Sequence, residues 1–327
     1  MMYGRVLTGI NAFYMKYFGL KEGLFVAIGV LAVGVPFLAF GGHNVIYVDK
    51  NATGTETGSN SEPYKSIGTA LKNAHDGDEV RVKNGTYREN IVIPKEVKVT
   101  SSKNDRDAVT IVGDDREPTV FMKDDSKLSK ITIKGGRHGI RVDEDAEAHI
   151  FDVLIDESDR DGIHIDESKK KDKKHRVFID KVEVKKSEKA GIYSESRFVV
   201  ITKSNIHDND SDGIDLQGGV KAWIEDTRIN ENKGSGLKAD LNGADIWTNK
   251  LSIRNNKHDG VEVSARTSKI GNFGLKKATI VDNKNYGVAK IRRGTAPATL
   301  LHQHVFVEKS RVEGNGAGVV SGVIFVK

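Results

Sequence analysis

Eight glycines punctuate the chain at positions 139, 162, 191, 213, 236, 260, 287 and 318, with successive gaps of 23, 29, 22, 23, 24, 27 and 31 residues. Each sits in the same phrase: an apolar strand, a polar corner, the Gly, a second apolar strand. One unit reads Ile155-Asp156-Glu157-Ser158-Asp159-Arg160-Asp161-Gly162-Ile163-His164-Ile165, and another Ile206-His207-Asp208-Asn209-Asp210-Ser211-Asp212-Gly213-Ile214-Asp215-Leu216. A period in the low twenties, lengthened by insertions and carrying strand alternation, specifies a solenoid. A single unit cannot bury its own apolar face, so neighbours must stack.

The corner explains its own residues. Three positions beyond the Ile or Val that closes the first strand stand Ser158, Ser187, Asn209, Asn232, Asn256, Asn283 and Asn315. A corner leaves backbone groups without ladder partners. Short amide and hydroxyl side chains bond them, and Asn tolerates left-handed backbone. Stacked coil on coil, the amides also bond one another. The Gly that follows is expected to let the chain turn without a Cβ clash. The expected fold class is all-β, a stacked solenoid with outward polar and inward apolar strand positions.

Three segments follow. Residues 1–41 form an N-terminal anchor or signal segment. Its apolar run, residues 24–40, has no charge and follows a net positive flank of Arg5, Lys16 and Lys21 against Glu22, with Phe13, Tyr14, Tyr17 and Phe18 nearby. As a helix it spans about 25 Å, the short limit for a bilayer. Positive charge before it places the rest outside the cytoplasm. Ala39-Phe40-Gly41 offers a small-x-small cleavage site, which would make the domain secreted. The long leader favours an uncleaved single-pass anchor. Residues 42–100 are the N-terminal cap and first coils, with a short helix over 66–74 that turns Ile67, Ala70, Leu71 and Ala74 onto the open coil end. Residues 101–327 are the repeats. They carry insertions at 169–176, rich in Lys, and 292–304, and end in an apolar strand, residues 319–327. We expect that last coil to be covered by the 292–304 insertion or by a second copy.

Residues 45–327 resemble the right-handed parallel β-helix of the pectate lyase superfamily. The repeat carries that likeness, together with the opening line Tyr47-Val48-Asp49, Pro63-Tyr64-Lys65-Ser66-Ile67, Asp76-Gly77-Asp78-Glu79-Val80 and Asn84-Gly85-Thr86-Tyr87-Arg88-Glu89. The resemblance implies a polysaccharide lying on one outward face, where acidic clusters hold Ca²⁺ or act as acid and base. Two outward columns follow the Gly. The first is Arg141, His164, Tyr193, Asp215, Lys238, Glu262; the second is Asp143, Asp166, Glu195, Gln217, Asp240, Ser264. Asp143, Asp166 and Glu195 are the candidate Ca²⁺ ligands. Lys238 and His164 are candidate bases for β-elimination, and Asp215 a candidate acid in hydrolysis with Asp166 or Asp240. Arg141, Tyr193, Gln217, Asp240 and Glu262 would contact the sugar. Tyr193, Trp223 and Trp247 are the candidate stacking aromatics, though both Trp residues lie in strand-like stretches that suit packing. His138 and His258 sit in corners that suit hydrogen bonding to backbone.

Enzyme signatures of the superfamily are absent: no Asp-Pro-His of alginate epimerases, no Arg-Ile-Lys of polygalacturonases, no Gly-x-x-Asp-Phe of pectin methylesterases. The chain has no Cys, which excludes disulfides, thiolate metal sites and a Cys nucleophile. A net charge of +5 from interspersed residues suits an acidic polymer weakly. Basic residues do not cluster with aromatics, which argues against nucleic acid. Two functions fit. One is a membrane-anchored extracytoplasmic β-helix that binds, and in one version cleaves, acidic cell-surface polysaccharide. The other is a non-catalytic scaffold or adhesin that self-associates through its C-terminal coil.

Overall fold

The computed structural model describes residues 44–168 and 175–326. The apolar run 24–40 and most of the Lys-rich insertion lie outside the described residues. Among the described residues no helix is long and apolar enough to cross a membrane.

The strands form three all-parallel sheets of eleven, ten and ten strands, and each coil visits the three sheets in turn. One coil runs Phe198–Thr202 in the first sheet, Asn205–His207 in the second and Ile214–Gln217 in the third. The repeated phrase supplies the second and third; the first-sheet strand completes the coil. Inward positions are fully buried rung after rung, as in Ile155, Val184, Ile206, Ile229, Ile253 and Ile280. Each such side chain contributes about 1.5–3 kcal/mol, and all belong to one cluster running along the axis.

The corner amides form the expected ladder. Asn209 Nδ2 donates to Asn232 Oδ1 at 2.9 Å, Asn232 to Asn256 at 3.0 Å, Asn256 to Asn283 at 2.9 Å and Asn283 to Asn315 at 2.9 Å. The oxygen of Asn209 also accepts from Ser187 N at 3.0 Å. Three expectations are corrected. The hydroxyls of Ser158 and Ser187 are buried without a hydrogen-bond partner. The left-handed residue is the one before the ladder position: Glu157, Lys186, Asp208, Glu231, Asn255 and Asp282 all have φ between 54° and 60°. From Gly139 to Gly287 the recurrent Gly is demanded by stacking instead, whereas Gly318 pairs with Tyr286, outside that column, and has a φ of 132°. A Cβ on Gly213 would lie 2.4 Å from Ile229 Cγ2 and 2.7 Å from Gly236 O, on the next coil.

Helix α1, Ile67–Lys72, closes the N-terminal end. Ser66 caps it by accepting from Thr69 N, the Glu89 carboxylate takes the Ile67 and Gly68 N–H groups, and Ile67, Ala70 and Leu71 are buried. Capping satisfies amides that would otherwise lack partners. In the second insertion, helix α2, Ala298–His304, packs beside the last strands with Leu301 buried. It leaves Val307, Val319 and Val320 at 43%, 51% and 44% exposure.

Candidate functional site

The third sheet sets the register of the first column. Arg141 pairs with His164, His164 with Tyr193, Tyr193 with Asp215, Asp215 with Lys238 and Lys238 with Glu262. The second column continues just beyond, with Glu195 opposite Gln217 and Asp240 opposite Ser264. Rungs lie about 4.8 Å apart, so each side chain meets those above and below.

At one end the columns line an open groove of about 400 Å³, bounded by Arg141, Asp143, Glu144, His164, Asp166, Glu167, Tyr193 and Glu195. Arg141 binds Asp166 through Nε at 3.0 Å and Nη2 at 3.0 Å. His164 lies 2.8 Å from Asp161 Oδ2 through Nδ1 and 3.3 Å from Asp166 Oδ1 through Nε2. Its ring stacks on Tyr193, centroids 4.9 Å apart and planes 9° from parallel. Burial favours the neutral form of His164, yet the carboxylates of Asp161 and Asp166 outweigh it and raise its pKa. Burial likewise favours protonation of Asp166, but His164 and Arg141 bring its pKa below the usual carboxylate range. Burial, with Glu195 after it, raises the Tyr193 hydroxyl, which donates to Glu195 Oε2 at 3.2 Å.

The three expected Ca²⁺ ligands do not converge. Asp143 turns to Lys123 Nζ at 2.8 Å, Asp166 to Arg141 and His164, and Glu195 to Tyr193. Among the described residues, two groups bring three candidate ligand atoms within 4.8 Å of one another: His138, Asp161, His164, and Asp125, Glu147, His149. A hard cation wants several free oxygens together, which the Asp143, Asp166 and Glu195 row does not offer.

Farther along, Lys238 Nζ stands 3.2 Å from Asp212 Oδ2 and 3.3 Å from Asp215 Oδ2. Burial disfavours its charge, but the two aspartates overcome that and raise its pKa. Lys238 is thus held as a cation between two aspartates. Burial raises Asp215 in spite of Lys238, and Gln217 donates to it. Arg266 lies 3.5 Å from Asp240, and Arg293 3.1 Å from Glu262. Trp223 and Trp247 are neighbours in the first sheet, away from the columns, and both are buried.

One residue escaped the sequence reading, and another has a role that differs from the expected one. Arg197 is buried, and its Nη1 donates to the carbonyls of Asp143 at 3.0 Å and Asp166 at 2.9 Å, fixing the strand ends that carry the groove. Nothing in the repeat marks it. The other is His138, which does not bond backbone through Nδ1. That atom is buried without a hydrogen-bond partner, 3.5 Å from Asp161 Oδ2. Burial first, then the charge of His164, pushes His138 down to about 4.

Residues 138–322, more than half of the 327-residue chain, match the family described as the right handed β-helix region. The chain belongs to that family. It is the right-handed parallel β-helix that the resemblance implied. No curated protein matches the sequence. Among solved structures, the pectate lyase Pel9A is similar over 84% of this chain and 80% of its own, at 13% identity and a TM-score of 0.56. The Dettilon tailspike protein is similar over 86% of this chain and 61% of its own, at 14% identity and a TM-score of 0.50. The A-module of the Azotobacter vinelandii mannuronan C-5 epimerase AlgE4 is similar over 84% of this chain and all of its own, at 12% identity and a TM-score of 0.47. At these identities the likeness is one of fold.

Proposed function

We propose that this right-handed β-helix binds a polysaccharide along the outward face of its third sheet, seated across the groove of Arg141, His164 and Tyr193. The observation that carries the reading is the unbroken register from Arg141 to Glu262, which presents a row of hydrogen-bonding groups that includes a stacked aromatic pair. Such rows suit the repeated hydroxyls of an extended sugar chain, and a ring face suits its apolar side. The pectate lyase of the same fold makes polysaccharide the first class to test.

Charge refines the substrate. Five carboxylates line the groove, from Asp143, Glu144, Asp166, Glu167 and Glu195, against Arg141 and His164, with Lys123 reaching Asp143. Like charge raises the cost of an incoming anion. The groove therefore favours neutral or amino-sugar polymers over the acidic polymer that composition suggested, and the reading does without Ca²⁺. We extend the proposal to place: residues 24–40 hold the β-helix on the outer side of a membrane. An alkali-resistant membrane pellet and protease sensitivity of intact cells would support that placement, and a protein found only in the cytosol would end it.

The test is co-sedimentation of the full chain with neutral, amino-sugar and uronate polymers. Retention on a neutral or amino-sugar polymer that falls at least tenfold in Tyr193→Ala and Arg141→Met supports the proposal. Retention on none of the three, by a folded protein, sinks it.

A second reading rests on the half-exposed Val307, Val319 and Val320 on the last coil. Val307 and Val320 lie opposite the buried Leu275 and Val288, and a second copy packed on this coil would bury them. Sedimentation that stays monomeric across the micromolar range would remove this reading.

A further inference from the structure

His138 and Asp161 occupy the same corner on adjacent coils, because Ile140 pairs with Ile163 two residues later in each. His164 projects from the strand that Asp161 leads into. Three donor atoms meet here: His138 Nδ1 and His164 Nδ1 lie 3.5 Å and 2.8 Å from Asp161 Oδ2. The corner acid is used differently elsewhere. Two coils on, Asp212 accepts Ser235 N on Oδ1 at 2.7 Å and holds Lys238 on Oδ2. Asp161 keeps the first role, accepting Ala190 N on Oδ1 at 3.2 Å. Its second oxygen faces two imidazoles instead of a lysine.

We propose that His138 Nδ1, Asp161 Oδ2 and His164 Nδ1 form a binding site for a transition divalent cation of the Zn²⁺ type. The independent sign of a ligand is His138 itself. Its residue exposure is 6%, and Nδ1 is buried with no hydrogen bond. A buried imidazole nitrogen aimed at a carboxylate and left without a bond is costly unless something completes it. Two imidazoles and one carboxylate are a ligand set for this class of metal. Tetrahedral ligands at about 2.0–2.1 Å from the ion stand about 3.3 Å apart. The His138 contact already has that spacing, and the His164 contact opens by about half an ångström. The surroundings orient the ligands. Asp166 lies 3.3 Å from His164 Nε2, so a proton there leaves Nδ1 free to ligate, and Ala190 N–H fixes the Asp161 carboxylate. The fourth position would hold water.

The site is tested on the full chain, purified without a polyhistidine tag, stripped with EDTA and titrated with Co²⁺ and Zn²⁺. One equivalent should bind, with Co²⁺ giving visible absorption of a nitrogen- and oxygen-ligated ion. Asp161→Asn keeps an oxygen for Ala190 N–H and removes the anionic ligand. It and His138→Gln should each weaken binding at least about tenfold, while their metal-free melting curves report whether they fold. Asp212→Asn, the same corner two coils away, should bind as the parent does. No uptake by the parent would overturn the proposal. So would uptake that survives both Asp161→Asn and His138→Gln, including uptake lost only in Glu147→Gln, which would put the ion in the other cluster.

Discussion

Asn232 donates its side-chain amide to Asn256 Oδ1 at 3.0 Å, and the same oxygen accepts Asn232 N at 3.1 Å. One acceptor thus serves a main-chain and a side-chain donor of the coil before it, and Asn232 in turn serves Asn209 in the same way. Both amides are buried. Asn232→Ala would strip the acceptor from two buried donors and empty one rung. Each orphaned group costs about 1–3 kcal/mol, so we expect a loss of about 3 kcal/mol, read as a lower urea midpoint. Asn315→Ala, at the exposed end of the ladder, should cost less. Equal losses at the two sites would show that the ladder's burial does not set its worth.

The glycines separate two physical demands. A Cβ on Gly236 would stand 2.5 Å from Ile253 Cγ2 and 2.7 Å from Gly260 O. Gly243 has φ of 69° and its nearest such neighbour at 3.9 Å. Gly243→Ala therefore meets only the left-handed penalty, about 1–2 kcal/mol. Gly236→Ala must spread two coils, an overpacking cost of about 3 kcal/mol. Thermal melting of the two variants side by side gives the order, and a milder Gly236→Ala would contradict the stacking argument.

Asp245 gives a pH dependence with a definite sign. Burial alone would raise its carboxyl, but Lys221 Nζ at 2.9 Å and Asn272 at 3.1 Å bring the pKa below its usual 3.8. A depressed carboxyl contributes stability that is present above the unfolded value and lost as pH falls through the folded one. The parent should exceed Asp245→Asn by about 1 kcal/mol at pH 7. The gap should begin to shrink below the unfolded carboxyl pKa, about 3.9, and close as pH falls through the folded value. Urea midpoints from pH 2.5 to 7 measure it. A gap unchanged at the acid end would mean that the charge pair contributes nothing.

Much of this architecture was legible because a solenoid turns sequence period into spatial register. Asn209 to Asn315 and Arg141 to Glu262 stand where a constant coil places them, and Ser66 marks its helix. What was hidden depends on rotamers and on which neighbouring coil a side chain reaches. The Asp143, Asp166 and Glu195 row lies in line along the strand ends, yet Lys123, Arg141 and Tyr193 draw its members apart. The role of the Gly column was hidden too, since a Cβ clash with the next coil leaves no trace in local dihedral preference. Arg197 binds carbonyls of coils more than thirty residues distant, and no local pattern announces such a contact.

Lys238 carries the last prediction. Its ammonium lies between Asp212 and Asp215, and all three side chains are mostly buried. Lys238→Met would leave two carboxylates facing each other with no cation, a loss of about 1–3 kcal/mol at pH 7. The sign follows from Asp215. Burial already raises its pKa, with Lys238 opposing that rise, so removing Lys238 raises it further. A raised carboxyl destabilises the fold above its unfolded pKa, and the penalty is relieved as pH falls through the folded value. The deficit of Lys238→Met should therefore be largest near neutrality and shrink toward pH 4, by urea midpoint. A lysine poised as a neutral base would behave otherwise: its loss would spare stability at pH 7. A variant as stable as the parent at that pH would remove Lys238 from its structural role and return it to the candidates for chemistry.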